Sequence, residues 1–124
     1  MLFALLFLYL FGGSGVDGMV KDIAKPVKEY VQDKAKAKQI IAINEEMLGE
    51  EAALRKDTGK AKKQVAKING NRLASEAEFA EVFAVLDQKR AEAREKILEN
   101  RFKMKELMTA GEWSRVYATA DQQD

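Results

Sequence analysis

Residues 75–109 read SEAEFAEVFAVLDQKRAEAREKILENRFKMKELMT. Counting from Phe79 in alternating steps of four and three meets Phe79, Phe83, Leu86, Arg90, Ala93, Ile97, Asn100, Met104 and Leu107, and seven of these nine are apolar. A recurrence of about 3.5 residues belongs to an α-helix that buries one seam against another helix. Val82, Leu98, Phe102 and Met108 widen that face. Ser75 stands three residues before Glu78, the spacing of a capping box, in which the hydroxyl accepts the Glu78 N–H and the carboxylate accepts the Ser75 N–H. The helix is therefore expected to start near Glu76. Thr109 and Glu112 repeat the motif, so it should end near Thr109 and give way to a short helix over Glu112–Ala118.

One such helix cannot cover its own seam. The same count from Val20 gives Val20, Ile23, Val27, Tyr30, Lys34, Ala37, Ile41, Asn44, Leu48 and Glu51, seven of ten apolar, with Ile40, Ile43, Met47 and Leu54 as a second line. This predicts a first helix from about Asp22 to Lys56, with Pro26 in its opening turns, where a missing N–H does least harm. Asp57-Thr58-Gly59 reads as a stop, Lys60–Ile68 as a short helix or a continuation, and Asn69-Gly70-Asn71 as a turn. Alanine, lysine and glutamate dominate after residue 20 and Pro26 is the only proline, which suits long helices. The expected fold is all-α. It comprises a long antiparallel, coiled-coil-like hairpin within residues 21–118, a basic turn region at 57–74, a short C-terminal helix and a frayed tail at 119–124. Val27, Ile41 and Leu48 of the first helix, with Phe79, Phe83, Leu86, Ile97, Met104 and Leu107 of the second, form the expected helix-pairing face. A two-helix core is thin, so a second copy or a protein partner is expected to complete it.

Ahead of the hairpin stands MLFALLFLYLFGGSGVDGMV, residues 1–20. Met1–Phe11 is apolar on every side, with the Tyr9 hydroxyl its only polar side-chain group, and a chain of 124 residues with 33% charged side chains has little core to surround it. A spanning helix takes roughly 20 mostly apolar residues. Gly12–Val16 cost little in lipid and only Asp17 interrupts before Val20. A cleaved export signal calls for a basic start, and no Lys or Arg precedes the run. Residues 1–20 are read as an uncleaved hydrophobic anchor in membrane lipid, held by Leu2, Phe3, Leu5, Leu6, Phe7, Leu8, Leu10 and Phe11. A cleaved signal and a soluble-core or interfacial segment are the alternatives. Lys21, Lys25 and Lys28 come directly after it, which taken alone favours a cytoplasmic domain. N-terminal anchors of small bacterial helical proteins usually export the domain behind them, and the extracytoplasmic, periplasmic side is the expectation, with the cytoplasmic side as the alternative.

Lys and Arg total 21 against 20 Asp and Glu, so no bulk charge draws the chain to nucleic acid. The charge is local: Arg55, Lys56, Lys60, Lys62, Lys63, Lys67 and Arg72 against Asp57 alone leave +6 over eighteen residues. No aromatic residue interleaves this basic tip, so base stacking is not expected and no nucleic-acid partner is assigned. The chain has neither histidine nor cysteine, which removes imidazole catalysis, Ser-His and Cys-His nucleophiles and Cys/His zinc sites. Glu45, Glu46, Glu50 and Glu51 read as a solvated acidic face, since they lack the tight loop and carbonyls of a calcium site. Gly12-Gly13-Ser14-Gly15 lacks the lysine and the strand–helix setting of a phosphate loop. No enzyme, metal or cofactor is expected. Trp113, Val116 and Tyr117 share one face of the last helix, where Trp113 and Tyr117 either meet a membrane interface or close the end of the hairpin.

The expected function is a membrane-anchored interaction or structural protein that pairs with itself or another protein through an apolar helix face. In size and helical-hairpin layout the chain also resembles small periplasmic stress chaperones, without their repeated Leu-Thr-x-x-Gln signature; that resemblance implies a chaperone or stress sensor and carries over no residue. A polyanion-binding module using the basic tip is the further alternative.

Overall fold

The structure, a computed structural model, describes residues 20–122. Among them the regular structure is helical, with no strand: α1 is Ala24–Tyr30, α2 Lys34–Asn69, α3 Glu76–Leu107 and α4 Ala110–Gln122. The class is all-α. The anchor residues Leu2, Phe3, Leu5, Leu6, Phe7, Leu8, Leu10 and Phe11 lie outside the described residues. No helix among the described residues is long and apolar enough to cross a membrane. The described residues form two compact units, one made of Glu51–Arg94 and the other of residues 20–50 and 95–122. Both long helices contribute to each.

In the first unit, α2 and α3 flank a tight turn. The Gly70 N–H bonds the Ala66 carbonyl at 3.1 Å and the Asn71 N–H that of Ile68 at 2.9 Å, closing α2. The Asn71 side chain then accepts the Leu73 N–H at 3.0 Å. The Ser75–Glu78 capping box opens α3, its bonds 2.8 and 3.4 Å long. Ala61 packs with Phe83 and Leu86, and Val65, Phe79 and Val82 close over them. Lys89 Nζ meets Asp57 Oδ1 at 3.3 Å. Contacts that climb α2 therefore descend α3, and the pair is antiparallel.

The stop expected at Asp57–Gly59 is absent, and most of the expected turn region at 57–74 is helix. Thr58 is buried, its hydroxyl donating to the Leu54 carbonyl at 2.9 Å, and Ala61 lies in the core one turn later. Interior glycine costs a helix roughly 0.5–1 kcal/mol, less than the ~1.5–3 kcal/mol gained by fully burying one large apolar side chain. Packing carries α2 through Gly59.

In the second unit the single helix expected from Asp22 to Lys56 is interrupted. α1 stops at Tyr30, and Val31 is extended at φ −89°, ψ 109°. Asp33 then caps α2, its carboxylate accepting the Ala35 N–H at 3.0 Å and the Lys36 N–H at 3.2 Å. Short Asp side chains compete for backbone amides in this way and so favour helix starts over interiors. The break frees α1 to pack on α4. Ile23, Val27, Val31, Val116 and Ala120 are all buried in this unit.

Past the break the seam keeps Ala37 and Asn44 of the expected count and takes Ile40 and Met47 from the second line. The buried positions of α2 in this unit are Ala37, Ile40, Asn44 and Met47, and those of α3 are Ile97, Asn100 and Met104. Ile41 and Leu48 are only half-buried, one residue out of phase with that seam. Glu50 Oε1 pairs with Lys96 Nζ at 3.6 Å. The Thr109–Glu112 capping box starts α4, with bonds of 2.9 and 3.1 Å. α4 is longer at both ends than the expected Glu112–Ala118: it continues to Gln122 with Ala120 buried, where a frayed tail was expected from residue 119.

Candidate functional site

Of the expected pairing face, Val27, Phe83, Leu86, Ile97 and Met104 are buried, and Ile41, Leu48, Phe79 and Leu107 half-buried, within the chain's own units. Among the described residues, the large apolar side chains left in water are Leu73, Val85, Leu98 and Phe102, 88%, 50%, 42% and 54% exposed. In the first unit Val85 belongs to an open groove of about 580 Å³, lined also by Gln64, Lys67, Ile68, Glu81 and Val82.

The basic tip divides by helix geometry. Lys56, Lys60, Lys63 and Lys67 recur at intervals of four, three and four, so they form one stripe of α2, opposite the seam of Leu54, Thr58, Ala61 and Val65. All four are exposed. At ~1.5 Å per residue the stripe runs about 16 Å. Among the described residues none of the four makes an ion pair. Arg55 is engaged differently, its Nη2 3.2 Å from the Glu51 carboxylate. Lys62 is half-buried, and Arg72 is exposed in the turn. The acidic face is also partly consumed, with Glu51 buried beside Arg55 and Glu50 paired with Lys96. No three acidic side chains converge as a metal-holding group among the described residues.

The second unit holds an aromatic cluster. The Trp113 and Tyr117 rings stack with centroids 4.8 Å apart and an interplanar angle of 35°. The Arg101 guanidinium lies 5.1 Å from the Trp113 ring centre and 5.4 Å from that of Phe102, both within cation–π range. Burial raises the Tyr117 phenol above its ordinary pKa, and the Arg101 charge opposes that rise. Beside the cluster lies an open cavity of about 310 Å³, lined by Arg101, Lys105, Met108, Thr109, Trp113 and Ser114 among others. The Glu112 carboxylate is turned to the Thr109 amide at 2.9 Å.

Sequence reasoning singled out Trp113 and Tyr117 and passed over Arg101 and Lys105. The signal was present: Arg101, Lys105 and Thr109 are spaced by four, which stacks both cations on the face leading to the last helix. Comparison with protein-family models, curated proteins and solved structures finds no match to this chain.

Proposed function

We propose that the protein is a membrane-anchored helical interaction module that holds a protein partner, or a second copy, at a bilayer. The observation that carries the reading is the apolar surface left over once the helices have buried their own seams, with half-exposed Val85 in the groove of the first unit and Leu73 at its turn. A helix pair with its seam filled gains nothing in isolation from presenting such residues to water, whereas a partner would cover them. The uninterrupted apolarity of Met1–Phe11 supports the anchor, and the lack of histidine and cysteine supports a binding role over catalysis. The proposed side for residues 21–122 is extracytoplasmic, with the cytoplasmic side as the alternative. On the extracytoplasmic side the same groove would suit a chaperone or stress sensor.

In-membrane crosslinking of the full-length protein tests this. A discrete higher-mass adduct should form and be lost in Val85→Glu, a half-exposed position, while circular dichroism stays that of wild type. Absence of any adduct, or an adduct indifferent to Val85→Glu and Leu73→Glu, contradicts the reading.

A second reading has its own observation. The exposed Lys56, Lys60, Lys63 and Lys67 stripe fits a polyanion or an acidic protein surface, and its binding would weaken steeply with salt.

A further inference from the structure

We infer that the surface formed by Leu98, Arg101, Phe102, Lys105 and Trp113 in the second unit is a docking site for anionic phospholipid headgroups. The inference rests on the anchored reading and adds a lipid class to it.

The side chains present the two chemistries that a bilayer interface demands. Leu98 and Phe102 are one helical turn apart on α3 and are both substantially exposed, an apolar pair for the upper acyl region. Arg101 and Lys105, also a turn apart, line the adjoining 310 Å³ cavity and supply positive charge. A guanidinium offers several N–H donors to phosphate oxygens. The Arg101 guanidinium lies within cation–π distance of both the Phe102 and Trp113 rings, contacts that restrict its rotamers before any lipid binds. Trp113 forms the far wall, and its amphipathic ring suits the headgroup zone.

The position of the patch selects the bilayer over a free anion. The chain runs from the apolar segment into Val20 and Lys21, and Lys21 Nζ lies 4.0 Å from Asp121 Oδ1 on α4. α1 packs on the same helix. Trp113 precedes Asp121 by eight residues on α4, about 12 Å along its axis. The root of the anchor is thus tied by an ion pair to the helix that carries the aromatic wall of the patch.

Full-length protein reconstituted into vesicles tests the assignment, since Trp113 is the only tryptophan in the chain. Two vesicle compositions are used, phosphatidylcholine alone and phosphatidylcholine with about a third phosphatidylglycerol, each with or without lipids brominated in the upper acyl chain. The expected result is flotation with both compositions and bromine quenching of Trp113 much stronger in the anionic one. Occupancy of the patch should fall roughly fivefold for each cation removed in Arg101→Gln and Lys105→Gln, while Arg101→Lys, which keeps the charge, should retain quenching. Protein that floats while Trp113 stays unquenched in anionic vesicles overturns the docking site and leaves the anchor standing. Quenching equal in the two compositions overturns the headgroup assignment. Protein that floats with neither vesicle overturns anchor and patch together.

Discussion

Asn44, buried in the first third of α2, holds Ile23 by its backbone: Asn44 Oδ1 accepts the Ile23 N–H at 3.2 Å, and its Nδ2 donates to the neighbouring Lys21 carbonyl at 2.8 Å. One side-chain amide thus satisfies two main-chain groups of the segment leading into α1. Asn44→Ala would leave both without that partner, at about 1–3 kcal/mol. Asn44→Asp should cost more at neutral pH, because a buried carboxylate can accept from Ile23 but repels the Lys21 carbonyl. Urea unfolding measured by circular dichroism checks both; midpoints equal to wild type would show that the bonds contribute nothing.

Gly59 lies inside α2, and a Cβ built there meets nothing within 4 Å. Gly59→Ala should therefore stabilise the protein by roughly 0.5–1 kcal/mol, as should Gly49→Ala, whose surroundings are equally open. If Gly59 were a helix stop requiring a left-handed backbone, the alanine would destabilise instead. Thermal unfolding distinguishes the two signs.

Those glycines show what the sequence makes legible. The ends of α3 are written in local chemistry, since a Ser or Thr three residues before a Glu requires no knowledge of the rest of the chain. Its buried positions keep a single phase because nothing interrupts the helix between Glu76 and Leu107. In α2 the count from Val20 meets buried Ala37, Asn44 and Glu51 but takes Ile41 and Leu48 where Ile40 and Met47 of the second line are buried, because an apolar residue stands at both of the adjacent positions and the pattern alone does not choose between them. Gly59 misleads in the other direction, since the packing of Ala61 against Phe83 and Leu86 decides the matter and involves residues distant in sequence. The stacking of Arg101 on Trp113 is hidden for the same reason, depending on how α4 leaves α3.

Tyr117 carries a pH dependence. Burial raises its pKa and Arg101 partly offsets the rise, so the folded state favours the neutral phenol. The stability from this preference is fully present below the ordinary value of 10.0 and is lost as pH rises through the higher folded value. Tyr117→Phe should remove that alkaline slope, and Arg101→Gln should push the Tyr117 titration higher still. Phenolate absorbance of wild type and both variants provides the check; an Arg101→Gln titration moved to lower pH would contradict the geometry.

The anchored reading is most directly tested by Leu6→Arg. A charge at the middle of Met1–Phe11 should cost roughly 2.5–3.5 kcal/mol of insertion. The full-length wild type is predicted to stay with membranes through an alkaline wash, and Leu6→Arg to shift substantially to the supernatant. Wild-type protein released by the wash, or a variant retained as firmly as wild type, would contradict the membrane anchor.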